Sequence, residues 1–235
     1  MKVEIWSDIF CPFCYIGKRR FENALSKFQD KDRVEIVFRS FELNTEASKI
    51  NNKNIHEVIS EKYGITIDEA KANNDNIVNQ AKTLGLEYNF DDLVLTNSFD
   101  AHRITHYAKD FGKNVEMTEA LFKAYFTDSK NISDFNILGE LAESIGLNKE
   151  DAIRFLNSDK YKTEVREDEL LARNYGISSV PTFIFNEKFK VTGAQQEEIF
   201  LMALNKAIEE ENIDVKLDEN SEKKNICIDG KCTIK

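Results

Sequence analysis

The chain has 235 residues, 41% of them hydrophobic and 31% charged, with only 9 glycines and 2 prolines. That balance fits a water-soluble globular protein and excludes collagen-like, Pro/Gly-rich and disordered classes. Its 32 basic and 42 acidic residues leave a net charge of −10 with no polybasic run, which argues against nucleic-acid and anionic-membrane partners.

The N-terminus alternates like a strand from the first residues and has no apolar signal core, so a cytoplasmic location is expected. Lys2 to Ser7 reads as a strand with Val3 and Ile5 on one face. A helix follows at once, with Phe21, Ala24, Leu25 and Phe28 at i, i+3, i+4, i+7. Pro12 suits its first position, where fixed φ and a missing N–H cost nothing. Val34 to Phe38 alternates as a second strand, so strand, helix and strand form a βαβ unit with parallel strands.

From about Asn54 to Tyr175 the pattern is helical. Thr66 and Glu69 make a capping box, and Gly85, Gly112, Gly146 and Gly176 stand just past successive helix ends. The β signal returns at Thr182 to Phe185 and at Phe189 to Thr192, joined by a turn at Asn186–Lys188 as an antiparallel hairpin. A closing helix is expected over Gln195–Glu211. Asp214 to Lys224 is charged and aperiodic and reads as a linker. The fold class is therefore α/β: a thioredoxin fold, βαβ–ββα, with a large all-helical insertion between its halves and a C-terminal tail. The boundaries are 1–43 with 177–212 for the βαβ–ββα unit, 44–176 for the insertion and 213–235 for linker and tail.

Four cysteines are too few for a disulfide framework, but their placement is informative. Cys11 and Cys14 form C-P-F-C between the first strand and helix. The helix N-terminus favours negative charge, so the Cys11 thiol is expected to ionise readily and Cys14, a turn deeper, to resolve its mixed disulfides. Zinc needs four ligands, and no second C-x-x-C or C-x-x-H exists to complete a site, so no metal is expected. Asp8, three residues before Cys11, either tunes the thiol or caps a turn. His102 and His106, at i, i+4 on one helix, lack the Glu of a zincin motif and read as helix-surface histidines.

The tail reads Asn225-Ile226-Cys227-Ile228-Asp229-Gly230-Lys231-Cys232. Asp229-Gly230 between alternating residues signals a type I′ hairpin. In that register Cys227 faces Cys232 across a non-hydrogen-bonded pair, with Cα atoms ~4.5 Å apart. An accessory redox pair is the favoured reading.

Three segments together resemble a known family: Trp6–Lys18 around C-P-F-C, Ser98–Arg103, and Gly176–Phe183 around Val180-Pro181-Thr182, followed by Val191–Gln195. They are similar to the DsbA-like branch of the thioredoxin superfamily, and within it to the cytoplasmic FrnE-like group, over nearly all of the chain to about residue 212. The resemblance implies a thiol–disulfide oxidoreductase of the protein disulfide oxidoreductase or isomerase type. It implies a cis peptide before Pro181 beside the cysteines, with the Val180 backbone binding an extended substrate segment as an added strand. Phe13 replaces the His of strongly oxidising members, so a less oxidising potential is expected. The partners implied are disulfide-containing proteins or peptides, with thioredoxin or glutathione for recycling. No bound cofactor is expected, glutathione serving at most as co-substrate. Two other readings stand beside it. Kappa-like glutathione-dependent transferases or isomerases share this architecture but typically carry Ser where this chain has Cys11. The other is a four-thiol redox sensor or zinc-binding chaperone.

Overall fold

A computed structural model describes residues 1–49 and 53–222, with 213–222 as backbone only. The elements run β1 (Lys2–Ser7), α1 (Pro12–Lys27), a short 3-10 turn (Lys31–Arg33) and β2 (Glu35–Ser40). Seven helices follow: α2 (Ile55–Tyr63), α3 (Ile67–Lys82), α4 (Phe99–Lys109), α5 (Asn114–Phe126), α6 (Phe135–Ser144), α7 (Lys149–Leu156) and α8 (Lys162–Asn174). The chain then makes β3 (Thr182–Phe185), β4 (Phe189–Thr192) and α9 (Glu197–Glu222).

The four strands form one sheet in the order β2-β1-β3-β4. β1 pairs parallel with β2 from Lys2↔Glu35 to Ser7↔Ser40, and antiparallel with β3 from Val3↔Phe185 to Trp6↔Thr182. This is the thioredoxin arrangement, with the helical block inserted between β2 and β3.

β1 is central, so both of its faces are covered. Val3 and Ile5 point to one side, where they join Phe21 of α1, Phe183 and Phe185 of β3 and Phe200 of α9 in a dry cluster. Each of these phenylalanine rings contributes about 2–3 kcal/mol by leaving water. On the other side Trp6 packs with Ala172 of α8 and with Ile177 and Ile184. Its indole N–H donates to the Asp168 carbonyl at 3.0 Å. Glu4, on that same face, is buried and paired with Arg39, whose guanidinium also reaches Asp168 Oδ1 at 2.8 Å.

The largest core belongs to the insertion, and it does not stop at the insertion. Ile9, Cys11, Cys14, Tyr15 and Ile16 sit in one cluster with Phe122 and Phe126 of α5, Ile104 of α4 and Tyr88. The Tyr15 ring stacks on Phe122 at 4.9 Å, and Tyr88 stacks on Phe126 at 4.7 Å. The first turns of α1 are thus seated on α5.

Two expectations are corrected. α9 does not end at Glu211 but continues to Glu222, through much of the segment read as a linker. Lys216, Leu217, Glu219 and Glu222 are good helix formers there, no glycine or proline intervenes, and aperiodicity alone does not break a helix. His102 and His106 are not surface residues: both are buried. α4 is covered by α5 on one side and α8 on another, so its polar face is interior as well as its apolar one. Asn54 caps α2 with Glu57 in a second capping box that the sequence reading passed over. No described helix is long and apolar enough to cross a membrane.

Candidate active site

β1 ends at Ser7, and four residues carry the chain from the sheet edge to α1. Asp8 makes that passage rigid. Its carboxylate is fully buried and accepts the Phe10 N–H at 3.2 Å and the Leu43 N–H at 2.7 Å, while its carbonyl accepts the Cys11 N–H at 3.1 Å. Of the two roles open to Asp8 in the sequence, turn-fixing is met directly. The same carboxylate also has a charged neighbour. His102 Nε2 lies 3.4 Å from Asp8 Oδ1, within ion-pair reach but without hydrogen-bond alignment. Burial disfavours the charged imidazole, yet Asp8, helped by Glu42 and Glu169, outweighs burial and raises the His102 pKa.

Cys11 is the N-cap of α1, in extended conformation, and Pro12 opens the helix. Cys14 approaches Cys11 to 3.3 Å. Both are free thiols, and both are buried. Burial, reinforced by the neighbouring Cys11, pushes the Cys14 thiol well above its ordinary value; contacts from Ser7 and the Asp8 backbone only partly offset this. Cys14 is therefore held as a thiol. Phe13, between them, is largely exposed. The Tyr88 hydroxyl donates to the Pro12 carbonyl at 2.7 Å, fixing the loop from the insertion side.

The second half of the fold comes up to the same point. The Cys11 sulfhydryl lies 3.6 Å from the Val180 carbonyl, a contact spanning 169 residues of sequence. The Val180–Pro181 peptide is cis. Gly17 lets this approach happen: a Cβ there would stand 2.9 Å from Pro181 Cγ and 3.4 Å from the Ala194 backbone. A cavity of about 680 Å³ opens beside Cys11 and Phe13 and runs under α2.

The structure thus brings Asp8, Cys11, Pro12, Phe13, Cys14, Val180 and Pro181 together. Cys227 and Cys232 lie outside the described residues. Sequence reasoning missed His102 as a partner of Asp8, and Tyr88 and Gly17 altogether. Only the helical glycine left a signal, as a propensity cost without an evident reason.

Residues 2–205 match the DSBA-like thioredoxin domain family. The chain belongs to that family. This DSBA-like protein is 31% identical over 206 residues to the uncharacterized protein YwbO of Bacillus subtilis, covering 86% of this chain and 94% of that one. A probable DsbA oxidoreductase of Streptomyces coelicolor superposes with a TM-score of 0.84 at 40% identity, covering 89% of this chain and 91% of its own. The cytosolic disulfide reductase DsbM of Pseudomonas aeruginosa, in a structure with GSH, has a TM-score of 0.63 at 12% identity, covering 89% and 100%. That last likeness is one of fold.

Proposed function

We propose that this protein is a thiol–disulfide oxidoreductase in which Cys11 attacks and Cys14 resolves. The observation that supports this most directly is the 3.3 Å approach of Cys14 to a Cys11 that caps a helix N-terminus. The Cys11 thiolate attacks one sulfur of a substrate disulfide. A mixed disulfide forms, and the other substrate sulfur leaves as thiolate. Bonding consumes the Cys11 charge, so the influence that most disfavours ionisation of Cys14, after burial, disappears. Cys14 then loses its proton to solvent and attacks Cys11 Sγ. The second substrate thiolate leaves, and a Cys11–Cys14 disulfide remains. Two electrons have passed to the substrate. Two equivalents of a thiol such as glutathione, or a reduced thioredoxin, restore the pair, and the reverse sequence oxidises a dithiol.

The Val180 backbone, beside Cys11, offers an edge on which an extended substrate segment can pair. Isomerisation follows from the same chemistry when a second substrate thiol resolves the mixed disulfide. Cys227 and Cys232 serve as an accessory pair exchanging with Cys11 and Cys14. The protein works in the cytoplasm, in the manner of the FrnE-like group, without a bound cofactor. Cysteine at position 11 and a second thiol at 14 favour this over a glutathione transferase.

The test is paired substitution. Cys11→Ser abolishes reduction of a peptide disulfide, whereas Cys14→Ser accumulates mixed disulfides visible by intact-protein mass spectrometry. Near-full turnover by Cys11→Ser removes the assignment.

A further inference from the structure

α2 is capped at both ends and carries Ile55, Val58 and Ile59 at i, i+3, i+4. A surface helix ordinarily buries such a stripe in the core. Here none of the three is fully buried, and all three line the cavity that begins at Cys11. Its volume of about 680 Å³ is that of a small-molecule site and holds far less than a folded protein surface. Among the described residues the lining is apolar except for a few amides and hydroxyls and one charge, Lys62, near the C-terminal end of α2. Lys62 is exposed, lies 5.5 Å from the Tyr63 ring and has no carboxylate within ion-pair reach among the described residues. In a chain of net charge −10, a single cation at the end of an apolar wall selects an apolar ligand with one anionic end.

We propose that this cavity receives a low-molecular-weight thiol or disulfide with an extended apolar body ending in a carboxylate, its sulfur at Cys11 and its carboxylate at Lys62. The proposal rests on the oxidoreductase reading and names the substrate class. Glutathione fits the cavity poorly, since among the described residues no lining acid meets its ammonium group, and its body is polar. Phe13, exposed at the mouth, supplies a ring for the first methylenes.

The experiment compares turnover of the disulfides of 8-mercaptooctanoate, 8-mercaptooctanol and glutathione. The octanoate compound has the lowest KM. Lys62→Met raises the ratio of its KM to that of the alcohol about two- to fivefold, the upper part of the range for a solvent-exposed charge contact. Ile59→Trp, which fills the cavity, raises KM for both. Separately, octanoate itself, which has no sulfur, is titrated calorimetrically into Cys11→Ser protein with and without Lys62→Met. Octanoate that binds there and is weakened by Lys62→Met sustains the cavity assignment even if Cys11 performs no exchange, in which case the oxidoreductase reading alone falls. Equal KM values for all three disulfides overturn the proposal, as does octanoate binding indifferent to Lys62. Preferential turnover of an unfolded disulfide peptide that octanoate does not inhibit also overturns it, assigning the groove to polypeptide.

Discussion

Gly17 is the place where α1 touches the loop that faces Cys11, so Gly17→Ala tests whether that closeness matters. In an exposed helix the change stabilises by about 1 kcal/mol. Here the added methyl group stands 2.9 Å from Pro181 Cγ, whereas ordinary contact begins near 3.4 Å. Pro181 has to retreat by about 0.5 Å, and the same methyl group already meets Ala194 at 3.4 Å on the other contact. Overpacking of that kind costs about 1–3 kcal/mol. The two effects oppose, and we expect a net loss of about 1 kcal/mol, read as a lower urea midpoint at unchanged m-value. Function suffers more than stability. The Val180 carbonyl is 3.6 Å from the Cys11 sulfur. Displacing it by about 0.5 Å in a site where 1 Å is worth about a hundredfold lowers the exchange rate about tenfold. A variant that gains the full helix-propensity increment and exchanges disulfides at the parental rate refutes the reasoning, because Pro181 would then carry no positional constraint.

His102 lies between Asp8 and Glu42 with a pKa raised above its ordinary value of 6.5, so its charged form favours the folded state. That stability is complete below 6.5 and is lost as pH rises through the higher folded value. His102→Gln leaves buried acids without their cation and should cost about 3 kcal/mol at pH 6 and clearly less at pH 9; a pH-independent difference in urea unfolding contradicts this. Phe21, 1% exposed and against the rings of Phe183 and Phe200, should cost about 3–5 kcal/mol on change to Ala; a loss below 1.5 kcal/mol disproves a dry, unyielding cluster. Removing residues 223–235, which leaves α9 whole, should increase sulfinic-acid formation at Cys11 under peroxide. Unchanged oxidation and glutathione exchange leave Cys227 and Cys232 outside the chemistry.

Local signals were legible where they report backbone chemistry. The alternation of β1 and β2, Pro12 at N1 and the Thr66–Glu69 box each describe a few neighbouring residues, and each element formed where they point. What stayed hidden depends on contacts distant in sequence. His102 and His106 look like polar positions on a helix, and nothing local announces that α5 and α8 cover them. The apolar stripe of α2 is readable, but whether it meets a core or a cavity depends on what stands opposite. The extension of α9 was hidden by a different error. Charge without periodicity reads as loop, though a helix is halted by glycine, proline or a capping residue rather than by charge.

The pairing of the central strand also sets an order of events during synthesis. β1 leaves the ribosome first and can pair with β2 within its own half, but its other edge waits for β3. At about 5–20 residues per second, Val180 and Phe185 emerge about 8–35 seconds after Cys11. Throughout that interval one edge of β1 is unpaired and the Cys11 sulfur lacks its Val180 neighbour, while α5 can already seat Tyr15. The nascent chain therefore holds a reactive thiol pair before it holds the groove that governs access to it. Partially made chains should be trapped by thiol reagents faster than finished ones.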